Sequence, residues 1–579
     1  MKYLNRKSNY DKYPQTVIFG YDKCAWSGYD DVCLVIEEKL NEKNVLVIET
    51  YPGVIDEEVL TEISKRFKAE RIIKSIDIFY DSDKLDEMLK DVLTEDRVRG
   101  FMYYGKVNDF IDKEKLEKAK QEIKEDGLTI IYGFAASLIS QGDVLVYADL
   151  TRWQAQLRYR KGRSNYKCHN ENEDNLKKYK RGYFVEWRIA DKLKFELFDK
   201  IDFYLDTNVE NNPKMVTGEA IRGGLKQIVK QPFRLVPYFD SEVWGGQWMK
   251  EVCNLDKEKD NYAWSFDGVP EENSLFLKYG NIKVETPAMN LVKYQPNELL
   301  GPNIYSRFGA EYPIRFDFLD TMEGQNLSLQ VHPLNEYIKS KFGMSYTQDE
   351  SYYILDCQNN GGVYLGLKEG INKEEMIFDL ENAQDGGKSF EADKYVNRFK
   401  ASKHDHYLIP AGTIHCSSAD CMVLEISATP YIFTFKLWDW NRLGKDGLPR
   451  PIHLEDGKKV IQWNRTTDWV KKNLVNNFEV LVDNPEYKEV KTGLHELEFI
   501  ETRVFTSKNK VLHKTNNTVN QLNLVDGTSA IIESPNNEFA PFTVHYVETF
   551  IIPACIEEYT IKPEKDGEEI KYLKAYVRE

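Results

Sequence analysis

Gln330 and His332 stand two residues apart in Leu327-Ser-Leu-Gln-Val-His-Pro333. The stretch alternates strictly. As a β-strand it turns Leu327, Leu329 and Val331 to one face and Ser328, Gln330 and His332 to the other. An amide oxygen and an imidazole side by side suit two ligands of one metal ion. Five of the nine histidines fall between His332 and His453, so further ligands are sought there. A zinc site with an open position needs three or four nitrogen and oxygen donors. Glu350 opens the aromatic run Glu350-Ser-Tyr-Tyr-Ile-Leu355 and shares a face with Tyr352 and Ile354. A carboxylate in such a strand needs a cationic partner. His415 ends Tyr407-Leu-Ile-Pro-Ala-Gly-Thr-Ile-His415, where a strand runs into a turn that delivers the histidine to the next strand. Ligands at the ends of adjacent strands are how a small β-barrel builds a site in its mouth. His404 and His406 form a rival pair at i,i+2, but no third ligand at metal spacing accompanies them, and they read as structural.

The elements that position these residues belong to a chain of 579 residues, too long for a single core, so two to four domains are expected. A hydrophobic fraction of 41% excludes wholesale disorder. No apolar run approaches the roughly 18 residues that span a bilayer. The polar start Met1-Lys-Tyr-Leu-Asn-Arg-Lys7 lacks the apolar core of a signal peptide. Eight cysteines with no Cys-x-x-Cys pair fit a reducing compartment, and a cytoplasmic protein is expected. The net charge of −16 argues against an extended nucleic-acid surface but leaves room for a local pocket for a small phosphorylated molecule. Nothing in the sequence reports the oligomeric state.

Residues 1–225 read as an α/β domain. Asn44–Glu49 is a short apolar run of buried-strand type, followed by a turn at Tyr51-Pro52-Gly53 and a helical pattern over Asp56–Lys68. Ile72–Tyr80, Leu128–Tyr132 and Asp143–Ala148 read as further strands, and Leu85, Met88, Leu89 and Val92 fall at helical spacing. Alternation of this kind predicts βαβ units and a mostly parallel sheet. Two basic clusters follow, Arg158-Tyr-Arg-Lys-Gly-Arg163 and Lys177-Lys-Tyr-Lys-Arg181, which read as solvated faces. In order, these features resemble the outline of a P-loop nucleoside or uridine kinase. No Gly-x-x-x-x-Gly-Lys-Ser/Thr occurs, and Glu49-Thr-Tyr-Pro-Gly-Val-Ile-Asp56 stands where the phosphate loop belongs. The resemblance therefore implies a kinase-like domain without catalysis and without ATP binding. Glycines in Val216–Lys230 suggest a linker at its edge.

From Phe233 onward, glycines, prolines and aromatics punctuate short alternating runs. A zinc-binding domain is expected over 226–465, with a helical interruption near Pro287–Leu300, and a final β-rich domain over 466–579. Ile461–Val475 reads as helical. Gln-x-His-Pro, a glutamate on an aromatic strand and Pro-Ala-Gly-Thr-x-His together resemble the zinc signature of class I (cupin) mannose-6-phosphate isomerases. Trp244-Gly-Gly246, Tyr312-Pro-Ile314, Trp438-Asp-Trp-Asn-Arg442 and Arg450-Pro-Ile-His-Leu-Glu455 are similar to further segments of that family. The resemblance covers about Pro232 to Glu579 and implies a double cupin of two jelly-roll barrels, the second metal-free. It implies Zn2+ held by Gln330, His332, Glu350 and His415, and a sugar phosphate interconverted between aldose and ketose. Arg450, Arg442 and His453 are its implied catalytic candidates; Lys436, Asp439 and Arg315 are its candidates for substrate binding. The sequence departs from the family at Asp317 and Gln348, where lysines are expected, and Lys436 replaces an arginine. A sugar phosphate needs cationic partners, so a sugar-binding or regulatory role, or a different sugar, is the alternative expectation.

Overall fold

Val45–Thr50 (β1) has Leu46, Val47 and Ile48 fully buried, as expected of a strand covered on both faces. In the computed structural model, which describes every residue except 1, 42, 43, 431, 446, 448, 494 and 579, β1 is the middle of a mostly parallel sheet. Arg71–Lys74 (β2), Thr129–Gly133 (β3), Val144–Asp149 (β4) and Phe203–Asp206 (β5) join it in the order β5-β4-β1-β3-β2. Lys214–Thr217 (β6) and Ala25–Ser27 extend the β5 edge with antiparallel pairing. Strand order reverses about β1, and the Tyr51–Ile55 loop leaves its carboxyl end. This α/β unit comprises Gln15–Ile228 together with the hairpin segment Glu271–Tyr294.

Three expectations for the unit change. The glycine-bearing stretch taken for a linker is the end of β6 and a helix, Gly218–Ile228, whose Ala220, Ile221, Leu225 and Ile228 are fully buried. Its glycines permit close packing: a Cβ on Gly224 would lie 2.5 Å from the Tyr279 hydroxyl. The strand at Ile72–Tyr80 stops at Lys74, and Ser75–Ile78 is a 3-10 turn. The basic clusters are not simply solvated faces. Arg158 is buried and donates to the carbonyls of Gly53 (2.8 Å) and Thr207 (2.5 Å), while buried Lys178 donates to those of Tyr159, Arg163 and Glu171. These cations satisfy loop carbonyls.

The second unit comprises Met1–Pro14, Val229–Pro270 and Gln295–Glu579 and is dominated by antiparallel sheets. One sheet holds Ile314–Asp320 (β7), Glu350–Cys357 (β9), His406–Ile409 (β10) and Cys421–Ala428 (β12), in the order β10-β9-β12-β7, and continues through Trp264–Gly268 and Tyr238–Asp240. The other holds Leu329–Val331 (β8), His415–Ser417 (β11) and Phe435–Trp438 (β13). Its order is Val396–Lys400, Gly362–Leu367, β11, β8, β13. Farther along the chain, a six-stranded and a four-stranded sheet enclose a separate core that includes Phe505, Leu522, Leu524, Ile532, Tyr559 and Ile561. The interruption expected after Pro287 is helical: Ala288–Tyr294 closes the α/β unit's segment, and Pro296–Leu300 and Pro302–Phe308 open the return into this unit. The helix expected over Ile461–Val475 is confined to Thr467–Asn473. Upstream of it Gln462–Arg465 is a turn closed by the Arg465 N–H on the Gln462 carbonyl, and the Arg465 carbonyl then accepts from Leu367. Among the described residues, no helix is long and apolar enough to cross a membrane.

Candidate metal centre

The alternation in Leu327–Pro333 holds in the strand. Leu329 and Val331 are fully buried on one side, while Ser328 and His332 are buried on the other beside half-buried Gln330. β8 lies between β11 and β13, which sets Gln330 directly opposite His415 on one side and Lys436 on the other. Residues paired in this way share a sheet face. Glu350 comes from the other sheet. His332, Glu350 and His415 are all buried, and one ligand atom of each lies within 4.8 Å of the others.

Each imidazole is oriented by its far nitrogen. His332 Nδ1 is 3.2 Å from the Phe433 carbonyl oxygen, and His415 Nδ1 is 2.9 Å from that of Thr413. A carbonyl only accepts, so each Nδ1 carries a proton, and with that one proton on the ring the Nε2 lone pair faces inward. Those lone pairs meet a carboxylate: His415 Nε2 is 2.8 Å from Glu350 Oε1, and His332 Nε2 is 3.1 Å from Glu350 Oε2. His332 Nε2 and Glu350 Oε1 have no hydrogen-bond partner. Acceptors facing acceptors at these distances in a dry interior require a cation or extra protons among them. Burial pushes the Glu350 carboxyl up, and only positive charge at the His332 and His415 positions, from protons on their Nε2 atoms or from a metal ion beside them, outweighs it and holds the carboxyl low. Gln330 completes the group, its side-chain amide 3.2 Å from His415 Nε2. An amide turned about its last bond offers its oxygen at the same place. The donor set of two imidazoles, a carboxylate and an amide fits zinc.

The remaining candidates fall into two groups. Asp439 receives hydrogen bonds from Ser328 (2.6 Å), Arg442 (2.7 Å) and Arg450 (3.1 Å), and Ser328 belongs to the polar face that bears Gln330 and His332. His453 is tied in through its backbone N–H, 2.8 Å from the Lys436 carbonyl, and its ring rests on Phe435. On the opposite side of Glu350, buried Arg315 spans Asp317 (2.8 Å) and Glu425 (2.7 Å). Gln348 donates to Glu350 at 3.2 Å and to Glu425 at 3.4 Å. Burial raises Asp317 to about 7 and Glu425 well above the carboxylate range; the charge of Glu350 adds to both, and Arg315 opposes it. The Arg315 guanidinium is thus committed to two carboxylates. His404 lies apart from the centre, between the Tyr353 hydroxyl (2.9 Å) and Asp526 (3.2 Å), while burial pushes His406 down to about 3.

Sequence reasoning missed Glu425, Asp349 and Arg465. Glu425 faces Asp317 and Tyr352 across paired strands. Its only sequence signal was a lone carboxylate within the apolar run Cys421–Ala428.

Residues 28–230 match the family described as "Domain of unknown function (DUF8485)". A probable mannose-6-phosphate isomerase of Bacillus subtilis, GmuF, is 26% identical over 262 residues, 45% of this chain and 73% of that protein. The mannose-6-phosphate isomerase ManA of the same organism is 25% identical over 236 residues, 41% of this chain and 69% of its own. The crystal structure of a B. subtilis mannose 6-phosphate isomerase superposes with a TM-score of 0.49 at 17% identity, covering 60% of this chain and 99% of that one. By its sequence relatives, the chain is mannose-6-phosphate isomerase-like, of the aldose–ketose isomerase class.

Proposed function

We propose that the chain is a zinc-dependent aldose–ketose isomerase that interconverts mannose 6-phosphate and fructose 6-phosphate. The observation that carries this reading is the meeting of His332, Glu350 and His415, from two sheets, with the Nε2 atoms 2.8 and 3.1 Å from the carboxylate oxygens and each far nitrogen held by a carbonyl. Similarity to isomerases of that substrate supports it. Gln330, His332, Glu350 and His415 would hold the ion. When bound, zinc supplies a Lewis acid that polarises substrate oxygens.

The chain's own residues supply the rest. Moving a hydrogen from C2 to C1 through an enediol needs a base near both carbons and positive charge near the developing oxyanion. Arg442 and Arg450, braced on Asp439 beside Ser328, bring two guanidinium groups to the polar face of β8. Asp439 holds them in place. His453 and Lys436 adjoin Gln330 through β13 and stand as a candidate base and a candidate cation for substrate binding. The domain reading goes with this: a zinc barrel over 226–465, a metal-free barrel over 466–579 and a catalytically silent kinase-like domain over 1–225. The order of parallel strands about β1 supports the last of these. A cytoplasmic location and a small-molecule partner follow from the same reading.

A second reading has its own observation. Arg315 is taken up by Asp317 and Glu425, and Gln348 faces Glu350 and Glu425. The wall beside Glu350 therefore carries an excess of acid, which favours a sugar without a phosphate there. One experiment decides between the readings: turnover of mannose 6-phosphate and of unphosphorylated mannose by the full chain, with and without chelator. Chelator-sensitive turnover of the phosphate ester supports the isomerase as proposed. Turnover of mannose alone transfers the claim to the second reading, and retained zinc with neither activity overturns both.

A further inference from the structure

The turn at Pro410–Thr413 touches two of the buried ligands and the residue next to the third. Its Gly412 N–H donates to the His332 carbonyl at 3.0 Å. Its Thr413 carbonyl orients the His415 ring at 2.9 Å. Its Ala411 N–H donates to Asp349 Oδ1 at 2.7 Å, and Asp349 immediately precedes Glu350. The three ligands come from different strands and from both sheets, and this turn links the His332 backbone, the His415 ring and the side chain that precedes Glu350.

One side chain secures the turn. Arg465 Nη1 reaches the carbonyls of Pro410 and Ala411, each at 2.7 Å, and also the Thr413 hydroxyl. Arg465 is itself fixed. Its N–H donates to the Gln462 carbonyl, its carbonyl accepts from Leu367, and Gln462 N–H donates to Gly412. Its guanidinium lies 5.6 Å from the ring centre of Trp469, and the residue is buried. Burial lowers its pKa to about 10, which leaves it charged at neutral pH. The Pro410 carbonyl also accepts from the Thr413 N–H (3.1 Å) and hydroxyl (2.7 Å), so the carbonyl that depends on the cation is that of Ala411, which without it would be left with an unmet buried hydrogen bond. The turn would then rearrange, moving three ligands at once.

We propose that Arg465, acting with Asp349, is a positioning residue for the metal centre: it clamps the Pro410–Thr413 turn and so holds His332, Glu350 and His415 at coordination spacing before the ion arrives. This rests on the metal reading above. The Arg465 guanidinium bonds to the turn, lies over Trp469 and feels the charges of Asp349 and Glu498, and so acts on the ligands through the turn. Groups that orient metal ligands from outside typically cost 10–100-fold in metal affinity when removed.

The test uses the full chain and zinc alone. Release of zinc to a chromogenic chelator is followed in wild type, Arg465→Met and Arg465→Lys. Arg503→Met serves as control; it breaks a buttressed pair with Glu489 and Glu501 in the far sheet. Hydrogen exchange at Ala411 and Gly412 is measured in the metal-stripped protein. Arg465→Met is expected to weaken zinc binding about 10–100-fold and to speed exchange at both amides. Arg465→Lys recovers part of each, because an ammonium keeps the charge but not the fork. Arg503→Met changes neither. Zinc affinity that stays at the wild-type value, or falls only as far as in Arg503→Met, overturns the proposal. Unchanged protection at Ala411 and Gly412 overturns it too, and this arm holds even if wild type binds no zinc, a result that would sink the metal reading separately. Should Arg465→Met fail to fold, Arg465→Lys carries both measurements.

Discussion

Replacing Glu350 with glutamine asks whether the centre is built for a cation or is a structural ion pair. The side chains have the same shape, so packing is kept. The stripped wild type sets a buried carboxylate against two Nε2 lone pairs at 2.8 and 3.1 Å. In Glu350→Gln the amide nitrogen takes the place of Oε1 and donates to His415. The amide oxygen takes the place of Oε2, where Gln348 already donates at 3.2 Å. One new buried hydrogen bond is worth about 1 kcal/mol, and removal of an uncompensated buried charge adds to it. Together they make the stripped variant more stable than the stripped wild type by about 1–3 kcal/mol. Zinc reverses the order: at a thousandfold excess over its dissociation constant it stabilises wild type by about 4 kcal/mol, while the variant has lost its only anionic ligand. The chain has two units, so a single global transition is not expected. Exchange at the β9 and β12 amides, with and without chelator, reports the local free energy instead. A stripped variant less stable than stripped wild type would refute the reasoning, because the stripped centre would then be a carboxylate ion-paired with protonated imidazoles rather than a set of facing acceptors.

Two further outcomes follow from buried charge near the centre. Arg315→Met leaves Asp317 and Glu425 buried without their cation; it is expected to cost about 3–5 kcal/mol at pH 8 and less at pH 5, where both acids take up protons. Denaturant midpoints of the β unit at the two pH values check this, and equal losses would contradict it. Burial also raises Asp320 to about 8, despite hydrogen bonds from the Met249 and Met322 N–H groups. Its folded pKa lies above the unfolded one, so the folded state holds the extra proton. The contribution is fully present below about pH 4 and is lost as pH rises towards 8, at about 1.4 kcal/mol per unit. Asp320→Asn should flatten that slope in the same denaturation series, and an unchanged slope would assign the effect to another group.

The residues that meet at the candidate centre were legible in the sequence because each sits at a place where chain geometry leaves a mark. His332 and Gln330 follow from a period of two, Glu350 opens an aromatic strand, and His415 follows a Pro-Ala-Gly turn. The parallel sheet was legible for a similar reason, since β1 and β4 are unbroken apolar runs of the length of a buried strand. The misread segments have a different physics. Glycines in Gly218–Ile228 looked like a linker, but they allow a helix to approach Tyr279 closely. Composition cannot tell a glycine that bends a chain from one that admits a neighbour. The basic clusters misled likewise, because a lysine that caps carbonyls in a loop and a lysine in water look the same in sequence.

Arg465 marks where such reading must fail. Two of its three turn acceptors are main-chain oxygens, and every residue type carries one. Nothing in the residue type at Ala411 records that its carbonyl needs a cation. The need arises only when the strand feeding His415 turns away from its neighbours and its carbonyls lose the ladder. The positively charged partner then arrives from 55 residues downstream for Pro410, in a stretch whose apolar spacing suggested a helix. Asp349 is hidden in a related way. It stands beside a recognised ligand, points at a backbone amide, and contributes to the centre by fixing the turn across from it. A metal site of this kind is therefore written twice in the chain. The ligands are written in residue types at patterned positions, and their spacing is written in backbone hydrogen bonds that only the folded barrel brings together.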